Sequence, residues 1–341
     1  MNATTYGVDI AKNVFQIHWV EPGTGEIHRR KLSRAKFAQF FANRAAARVV
    51  MEACGGAHYW GRTLTALGHQ VELLPAHQVR AFVTGNKDDA ADARGLWLAA
   101  QHHDIRRVPV KGAQQQAELS LHRVRSHWVS VRTATINSLR GLLYEFGVAL
   151  PKGRSTFCTR MAQDRALIDA QLPVLMQGLL DAQLQALREL DKNIALLESE
   201  LNAVLRGNEL ARRLERASGI GLMGSTALAA TLGDGSGWRN AREFSCCVGL
   251  TPRHTGTGGK VRMGGISKRG DAYLRTVLIH GARNLVRVAN PPQWIAQMLK
   301  RRPRNVVATA VANKLARIAW SMAVSGDDFD AMRAFGARAA I

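Results

Sequence analysis

The first third of the chain alternates short apolar runs with turn signals, a pattern typical of strands. Residues 4–10 and 14–20 are apolar runs at hairpin spacing, and residues 26–32 follow a Glu-Pro-Gly-Thr-Gly turn. Two further apolar runs, at residues 48–51 and 70–74, predict buried strands. We therefore expect five strands in this third of the chain.

Helical patterns separate the later strands. Ser33 is a suitable N-cap for a helix that places Phe37, Phe40 and Phe41 on one face, and residues 57–67 form a second helical pattern. Three meandering strands followed by alternating helices and strands predict a mixed α/β sheet of the ribonuclease H type.

The middle of the chain reads as helix, linker and helix. Residues 114–146 carry apolar positions at helical spacing, and residues 147–159, with their glycines and proline, predict a linker. A heptad seam of under three repeats follows, formed by Leu187, Leu190, Ile194, Leu197, Leu201 and Val204. A seam this short needs a partner, so we expect self-association as a coiled coil, with an intramolecular helical hairpin as the alternative.

The last third predicts mainly helices. Residues 214–233 read as helix, Gly-Ile-Gly turn and helix. Gly219 and Gly221 would let backbone N–H groups at the start of the second helix face a phosphate oxygen, as in a helix-hairpin-helix motif. A plain interhelical turn is the alternative.

The net charge of the chain and its distribution indicate what kind of partner the protein binds. The 341-residue chain has a formal charge of +21, and residues 252–317 contain 14 Lys or Arg but one acid, Asp271. A polyanion-binding face explains the exclusion of carboxylates, so we expect a nucleic-acid partner. An anionic membrane surface is the rival, but no lipidation signal or uninterrupted basic amphipathic helix supports it.

Other compositional features favour a cytoplasmic protein. The longest apolar stretch, residues 306–324, is interrupted by Lys314 and Arg317, so we expect no membrane span. The first residues show no secretory signal, and the four cysteines lack metal-binding spacing, which favours reduced thiols.

Four acids stand at the ends of predicted elements. Asp9 ends the first strand, Glu52 follows the fourth, and Asp89 and Asp92 share one face of a predicted helix. Four converging carboxylates would repel each other unless cations neutralised them, and hard oxygen ligands suit Mg²⁺ or Mn²⁺. Two such ions could serve phosphodiester chemistry. The alternative is that Asp88 and Asp89 cap the helix and Glu52 is a surface residue.

A glycine-rich basic loop is predicted at residues 254–269. It contains Lys260, Arg262, Lys268 and Arg269 without a carboxylate, and Arg275 follows it. Such a loop can bring backbone amides and cations close to a phosphodiester.

Two groups of motifs carry a family resemblance. GVDIAKNVF, MEACGGAHYW and NKDDAADA resemble the D-E-D-D signature of insertion-sequence transposases with a RuvC-like N-terminal domain. GLTPRHTGTGGKVRMGGISKRGDAYLR resembles their C-terminal transposase domain. The resemblance implies that Asp9, Glu52, Asp89 and Asp92 bind the metal. It also implies a multimeric recombinase, a dimer or tetramer, that an element-encoded bridge RNA guides to donor and target DNA.

The resemblance implies a second catalytic group, a serine in the basic loop that attacks the phosphodiester. This chain departs from that pattern, because Gly256 and Thr257 stand where Ser-Ser or Ser-Thr usually precedes Gly-Gly-Lys. Thr257 is the closest match for the nucleophile, with Thr255 and Ser267 as weaker candidates. A carboxylate or metal-bound hydroxide would have to take the hydroxyl proton, so the two domains must meet.

We therefore predict a transposase with three parts: a RuvC-like metal domain at residues 1–150, a linker and coiled coil at 151–213, and a basic domain at 214–341. One rival is a structure-selective endonuclease that uses metal-activated water. The other is a nucleic-acid-binding protein without catalysis.

Overall fold

Five strands form one mixed sheet in the computed structural model, which describes residues 3–83 and 88–336. The order is β3-β2-β1-β4-β5; β1, β2 and β3 are antiparallel, and β4 and β5 run parallel to β1. The strands are β1 (Thr5–Ile10), β2 (Val14–Val20), β3 (Ile27–Ser33), β4 (Arg48–Glu52) and β5 (Gln70–Leu74). The predicted mixed sheet and its five strands are therefore confirmed.

Helices cover both faces of this sheet. They are α1 (Arg34–Ala42), α2 (Ala57–Ala66), α3 (Ala76–Val79) and α4 (Asp89–Ala100), with a 3-10 turn at Arg80–Phe82. Alternate residues of β1, among them Tyr6 and Val8, point into an aromatic core with Phe37 and Phe41 of α1. The opposite face packs on α4, where Leu96 joins a second cluster with residues of β4 and β5.

A glycine lets α4 approach the sheet closely. Gly7 lies in the middle of β1, and a Cβ atom added there would lie 2.6 Å from the backbone nitrogen of Trp97 in α4. Only a residue without a side chain fits at this contact. Helix α4 therefore packs directly against the backbone of β1.

The chain divides into two compact units, Met1–Gln116 and Ala117–Ile341. The helices of the second unit are α5 (Ala113–Glu145), α6 (Arg154–Gln163), α7 (Arg165–Asp169), α8 (Val174–Gly207), α9 (Glu209–Glu215), α10 (Leu222–Leu232), α11 (Ala241–Cys247), α12 (Ala272–Arg287), α13 (Gln293–Leu299), α14 (Arg304–Ser325) and α15 (Ala331–Phe335). A two-stranded hairpin of β6 (Pro252–Thr257) and β7 (Lys260–Ile266) completes it.

This division differs from the boundaries that we expected at residues 150 and 213. The long helix α5 belongs with the second unit, because His122 hydrogen-bonds Tyr273 of α12 and Thr226 of α10. Helix α8 joins two hydrophobic cores of the second unit, since Leu187 lies in the cluster around α5 and α6 whereas Leu205 lies in the C-terminal core.

The heptad seam is covered inside the chain. Arg125 and Arg132 of α5 form ion pairs with Glu198 and Asp191 of α8, so the two helices run antiparallel. Leu187, Ile194 and Leu201 of the seam are buried. The structure thus shows the helical-hairpin alternative for this seam, while self-association stays a prediction.

Two local predictions are corrected. The expected linker at residues 147–159 is helical from Arg154, because Phe157 and Met161 are buried in the cluster beside α5. The expected basic loop at residues 254–269 is mostly the hairpin of β6 and β7. Gly258 and Gly259, at φ +55° and +78°, form its two-residue turn, as a tight hairpin requires.

No helix within residues 3–83 and 88–336 has both the length and the apolar character of a membrane span.

Candidate functional site

The register of the sheet places two acids side by side on the face that α4 covers. In the parallel pair of β1 and β4, Gly7 lies opposite Val50 and Val8 lies opposite Met51. Asp9 and Glu52 come next along their strands, two residues after Gly7 and Val50, and so lie on the face of those two residues.

Helix α4 brings two more acids to this point. Asp89 and Asp92 lie in its first turn, where the helix dipole favours negative charge. Asp88 has a different role: its side chain accepts a hydrogen bond from Ala90 N as the N-cap. The capping alternative thus holds for Asp88 and not for Asp89, which is the first residue of the helix and lies with Asp92 near Asp9.

Three of the acids converge closely. Carboxylate oxygens of Asp9, Asp89 and Asp92 all lie within 4.8 Å of one another. Glu52 lies outside that trio but acts on it electrostatically, since its charge contributes to the raised pKa of Asp9. The structure thus brings Asp9, Asp89 and Asp92 together and places Glu52 beside them.

The electrostatics of the trio are unfavourable without a cation. Burial, followed by the charges of Asp92, Asp89 and Glu52, raises the pKa of Asp9 from 3.8 to about 6. Burial and the charge of Asp92 also raise the pKa of Glu52. Because these acids do not pair with Lys or Arg in the described ion pairs, a bound divalent cation is the partner that fits the donor set.

The C-terminal candidates lie on the exposed hairpin. Thr257 lies opposite Lys260, and Thr255 lies opposite Arg262, so these four side chains share one face. Gly256 lies between the two threonines, and a Cβ atom there would be 2.6 Å from the carbonyl oxygen of Lys260. A side chain at position 256 would therefore clash with the hairpin backbone as it stands here.

The residues that follow the hairpin are held by the backbone of the preceding loop. The Ser267 hydroxyl accepts a hydrogen bond from Arg269 N, and Lys268 adopts a left-handed conformation with φ +55°. Arg275 donates from Nη1 to the carbonyl oxygen of Val248 at 2.9 Å. Ser267 and Arg275 therefore have structural contacts, while the side chains of Lys268 and Arg269 are exposed.

The Gly-Ile-Gly turn joins α9 to α10 as expected. Gly219 has φ +89° and packs tightly, since a Cβ atom there would lie 2.8 Å from Leu285. Gly221 is exposed at the N-terminus of α10. Gly219 is thus explained by its left-handed backbone conformation, and phosphate binding by Gly221 stays a prediction.

The hairpin and the cavity beneath it are not among the features predicted from the sequence. Arg253, Thr255 and Arg262 of the hairpin line this cavity together with Trp294 of α13 and Lys314 of α14. The Gly-Gly dipeptide between two short runs was the signal for a hairpin. No sequence signal brings α14 beneath it, because that contact depends on tertiary packing.

Two family models match the chain. Residues 6–147 match a model described as a transposase of the DEDD, IS110 type. Residues 211–298 match a model described as the transposase IS116/IS110/IS902 family.

Curated relatives match nearly the whole length. A protein of Pseudomonas aeruginosa described as "Probable family 20 transposase" is 46% identical over 94% of this chain and 97% of its own length. The "Transposase for insertion sequence element IS1328" of Yersinia enterocolitica is 38% identical over 96% of this chain and 99% of its own. The "Putative transposase y4pF/y4sB" of Sinorhizobium fredii is 37% identical over 95% and 84%.

Proposed function

Because this chain belongs to the IS116/IS110/IS902 family of transposases, which are DNA-cleaving and rejoining enzymes, we propose a specific division of its chemistry. The first unit, Met1–Gln116 (the sheet unit), supplies a metal site that acts on DNA strands at the ends of an insertion sequence. The second, Ala117–Ile341 (the helical unit), supplies a hydroxyl nucleophile and the basic surface that holds nucleic acid. The convergence of Asp9, Asp89 and Asp92 carries this proposal.

Asp9, Glu52, Asp89 and Asp92 would hold Mg²⁺ or Mn²⁺. Their carboxylates are hard oxygen donors, and their mutual repulsion makes a cation the favoured partner. A divalent cation would supply charge stabilisation for the phosphodiester during strand transfer. Gly7 keeps α4 against the sheet, so Asp89 and Asp92 stay next to Asp9 without rearrangement.

We propose the Thr257 hydroxyl as the nucleophile. It is exposed near the hairpin turn and lies opposite Lys260, whose ammonium would attract a phosphate. Its oxygen would bond to phosphorus while one bridging P–O bond of the DNA breaks. The hydroxyl proton goes to a base, and the departing strand oxygen takes up a proton. Ser267 is disfavoured because its hydroxyl accepts a hydrogen bond from Arg269 N.

The proposed partners are DNA, an element-encoded bridge RNA and further copies of the chain. Support for nucleic acid comes from the exposed cations of the hairpin, Lys260 and Arg262, and from Lys268 and Arg269 after it. Gly221 at the start of α10 would add a phosphate contact.

Strand transfer on the element's own ends, with co-purified RNA, tests this function. We expect joined products with Mg²⁺, none with EDTA, and a loss of at least a hundredfold with Asp92→Asn. Asp88→Asn is the matched control, because asparagine also caps helices, and its activity should stay near that of the wild type. Equal activity of Asp92→Asn and Asp88→Asn would contradict the metal site.

A further inference from the structure

A large cavity lies in the helical unit between the β6–β7 hairpin and α14. Its volume is about 1230 Å³, above the usual range of small-molecule sites, about 300–1,000 Å³. One face of the hairpin forms one wall through Arg253, Thr255 and Arg262. Asn305 and Thr309 of α14 lie on the other side. The cavity therefore has room for a ligand larger than one small metabolite.

All charged side chains that line the cavity are positive. Five cations line the cavity, and no carboxylate does: Arg253, Arg262, Lys268, Lys314 and Arg317. In the described part of the chain, none of these five side chains forms one of the ion pairs found elsewhere in the unit. Burial and the charge of Arg317 lower the pKa of Lys314, as expected for cations that lack an anionic partner. The cavity is thus suited to a ligand with negative charge.

The same cavity has apolar and aromatic walls. Leu250, Ile266, Val306 and Ala310 contribute apolar surface, and Trp294 contributes an aromatic ring. The Lys314 ammonium lies 4.3 Å from the centre of the Trp294 ring, so this aromatic wall holds one of the cations in place. A matching ligand therefore combines an apolar, planar surface with an anionic group.

We propose that this cavity receives an unpaired nucleotide of a bound nucleic-acid strand, with the base against the apolar wall and the phosphate near Arg253 and Arg262. This inference rests on the proposed function, which supplies the strand. Thr255 lines the cavity, and Thr257 lies two residues further along the same face, about 7 Å away. A nucleotide held there would place the next phosphodiester near Thr257. Such a nucleotide leaves the base stack as it enters the cavity, as in enzymes that bind an extruded base in a pocket.

The test measures binding of labelled oligonucleotides in EDTA, where no cleavage occurs. Single-stranded DNA, single-stranded RNA and blunt duplex DNA of one sequence are compared. Ala310→Leu fills part of the cavity without changing charge, and Ser321→Leu adds the same side chain at an exposed position of α14. We expect Ala310→Leu to weaken single-strand binding at least tenfold and duplex binding less than twofold, while Ser321→Leu changes neither.

Comparing the loss of binding for single-stranded DNA with the loss for single-stranded RNA shows which of the two strands enters the cavity. Unchanged single-strand binding in both arms, or an equal loss for single strand and duplex, would overturn the proposal. Photocrosslinking of a thiothymidine oligonucleotide to the wild type provides a second measurement if Ala310→Leu does not fold. Crosslinks should map to Trp294 or to α14, and crosslinks confined to other segments would overturn the proposal. Because no metal is present, either failure leaves the metal site of the sheet unit untouched.

Discussion

Replacing Asp9 with asparagine should stabilise the metal-free protein while it removes the response to metal. Asp9 lies among the charges of Asp92, Asp89 and Glu52, which raise its pKa together with burial. The Asn side chain has nearly the same shape but no charge. The substitution therefore removes repulsion in the metal-free protein and a ligand in the metal-bound one.

The structure sets the size of the effect. The pKa of Asp9 is raised from 3.8 to about 6, and two units correspond to about 3 kcal/mol. Because the folded pKa lies above the unfolded one, ionisation of Asp9 destabilises the fold increasingly as the pH rises from about 4 to 6, and fully above that. We discount the figure to about 2 kcal/mol because the side chain is only partly buried.

Thermal unfolding at pH 8, with EDTA or with Mg²⁺, measures both effects. In EDTA, Asp9→Asn should raise the Tm of the sheet unit by about 8 °C, at about 4 °C per kcal/mol for a unit of this size. Mg²⁺ at a hundredfold excess over its Kd should stabilise the wild type by about 2.7 kcal/mol and Asp9→Asn much less.

The matched control is Asp88→Asn, which keeps the helix cap and lies outside the acid trio. Its Tm should follow that of the wild type in both conditions. A lower Tm of Asp9→Asn in EDTA, together with an undiminished Mg²⁺ shift, would refute the reasoning about repulsion and metal binding.

Three further predictions concern packing and buried polar groups. Gly7→Ala should displace α4, which should lower the stability by about 2 kcal/mol, as overpacking does, and weaken the Mg²⁺-dependent Tm shift. An unchanged Tm shift would contradict the close contact with Trp97. Burial lowers the pKa of His122 from 6.5 to about 4. Between these pH values the unfolded chain binds more protons than the folded one, so the free energy of unfolding should fall by about 3 kcal/mol as the pH drops from 6.5 to 4. Urea unfolding should show a weaker pH dependence for His122→Gln than for the wild type. Glu72→Gln should cost about 3 kcal/mol, because Arg48 and Arg107 would lose their shared carboxylate, and a change below 1 kcal/mol in chemical denaturation would count against that network.

The sheet could be predicted well from the sequence because each strand has a local signal. Each apolar run is short, alternates in places and ends at a turn, so strand positions follow from spacing alone. The acids at strand ends were also predictable, since the parallel register brings Asp9 and Glu52 to one edge. What spacing could not show is that Gly7 admits α4, which decides how close Asp89 and Asp92 come.

The second unit was harder to predict because its contacts depend on packing between distant segments. Heptad spacing indicated that Leu187, Ile194 and Leu201 need a partner, but it could not tell a second chain from α5 of the same chain. In the structure, ion pairs of α5 with Glu198 and Asp191 show that α5 of the same chain packs on this seam. Similarly, glycine-rich composition suggested a loop at residues 254–269, where the pair Gly258-Gly259 in fact makes a hairpin turn.

Detection of a covalent protein–DNA adduct tests the central claim most directly. Wild type, Thr257→Ser and Thr257→Ala would be incubated with labelled element ends, co-purified RNA and Mg²⁺, and then separated under denaturing conditions. We expect a labelled adduct for wild type and Thr257→Ser, with the DNA attached to the peptide that contains residue 257, and none for Thr257→Ala or with EDTA. DNA cleavage that persists in Thr257→Ala without any adduct would contradict it and assign the chemistry to metal-activated water.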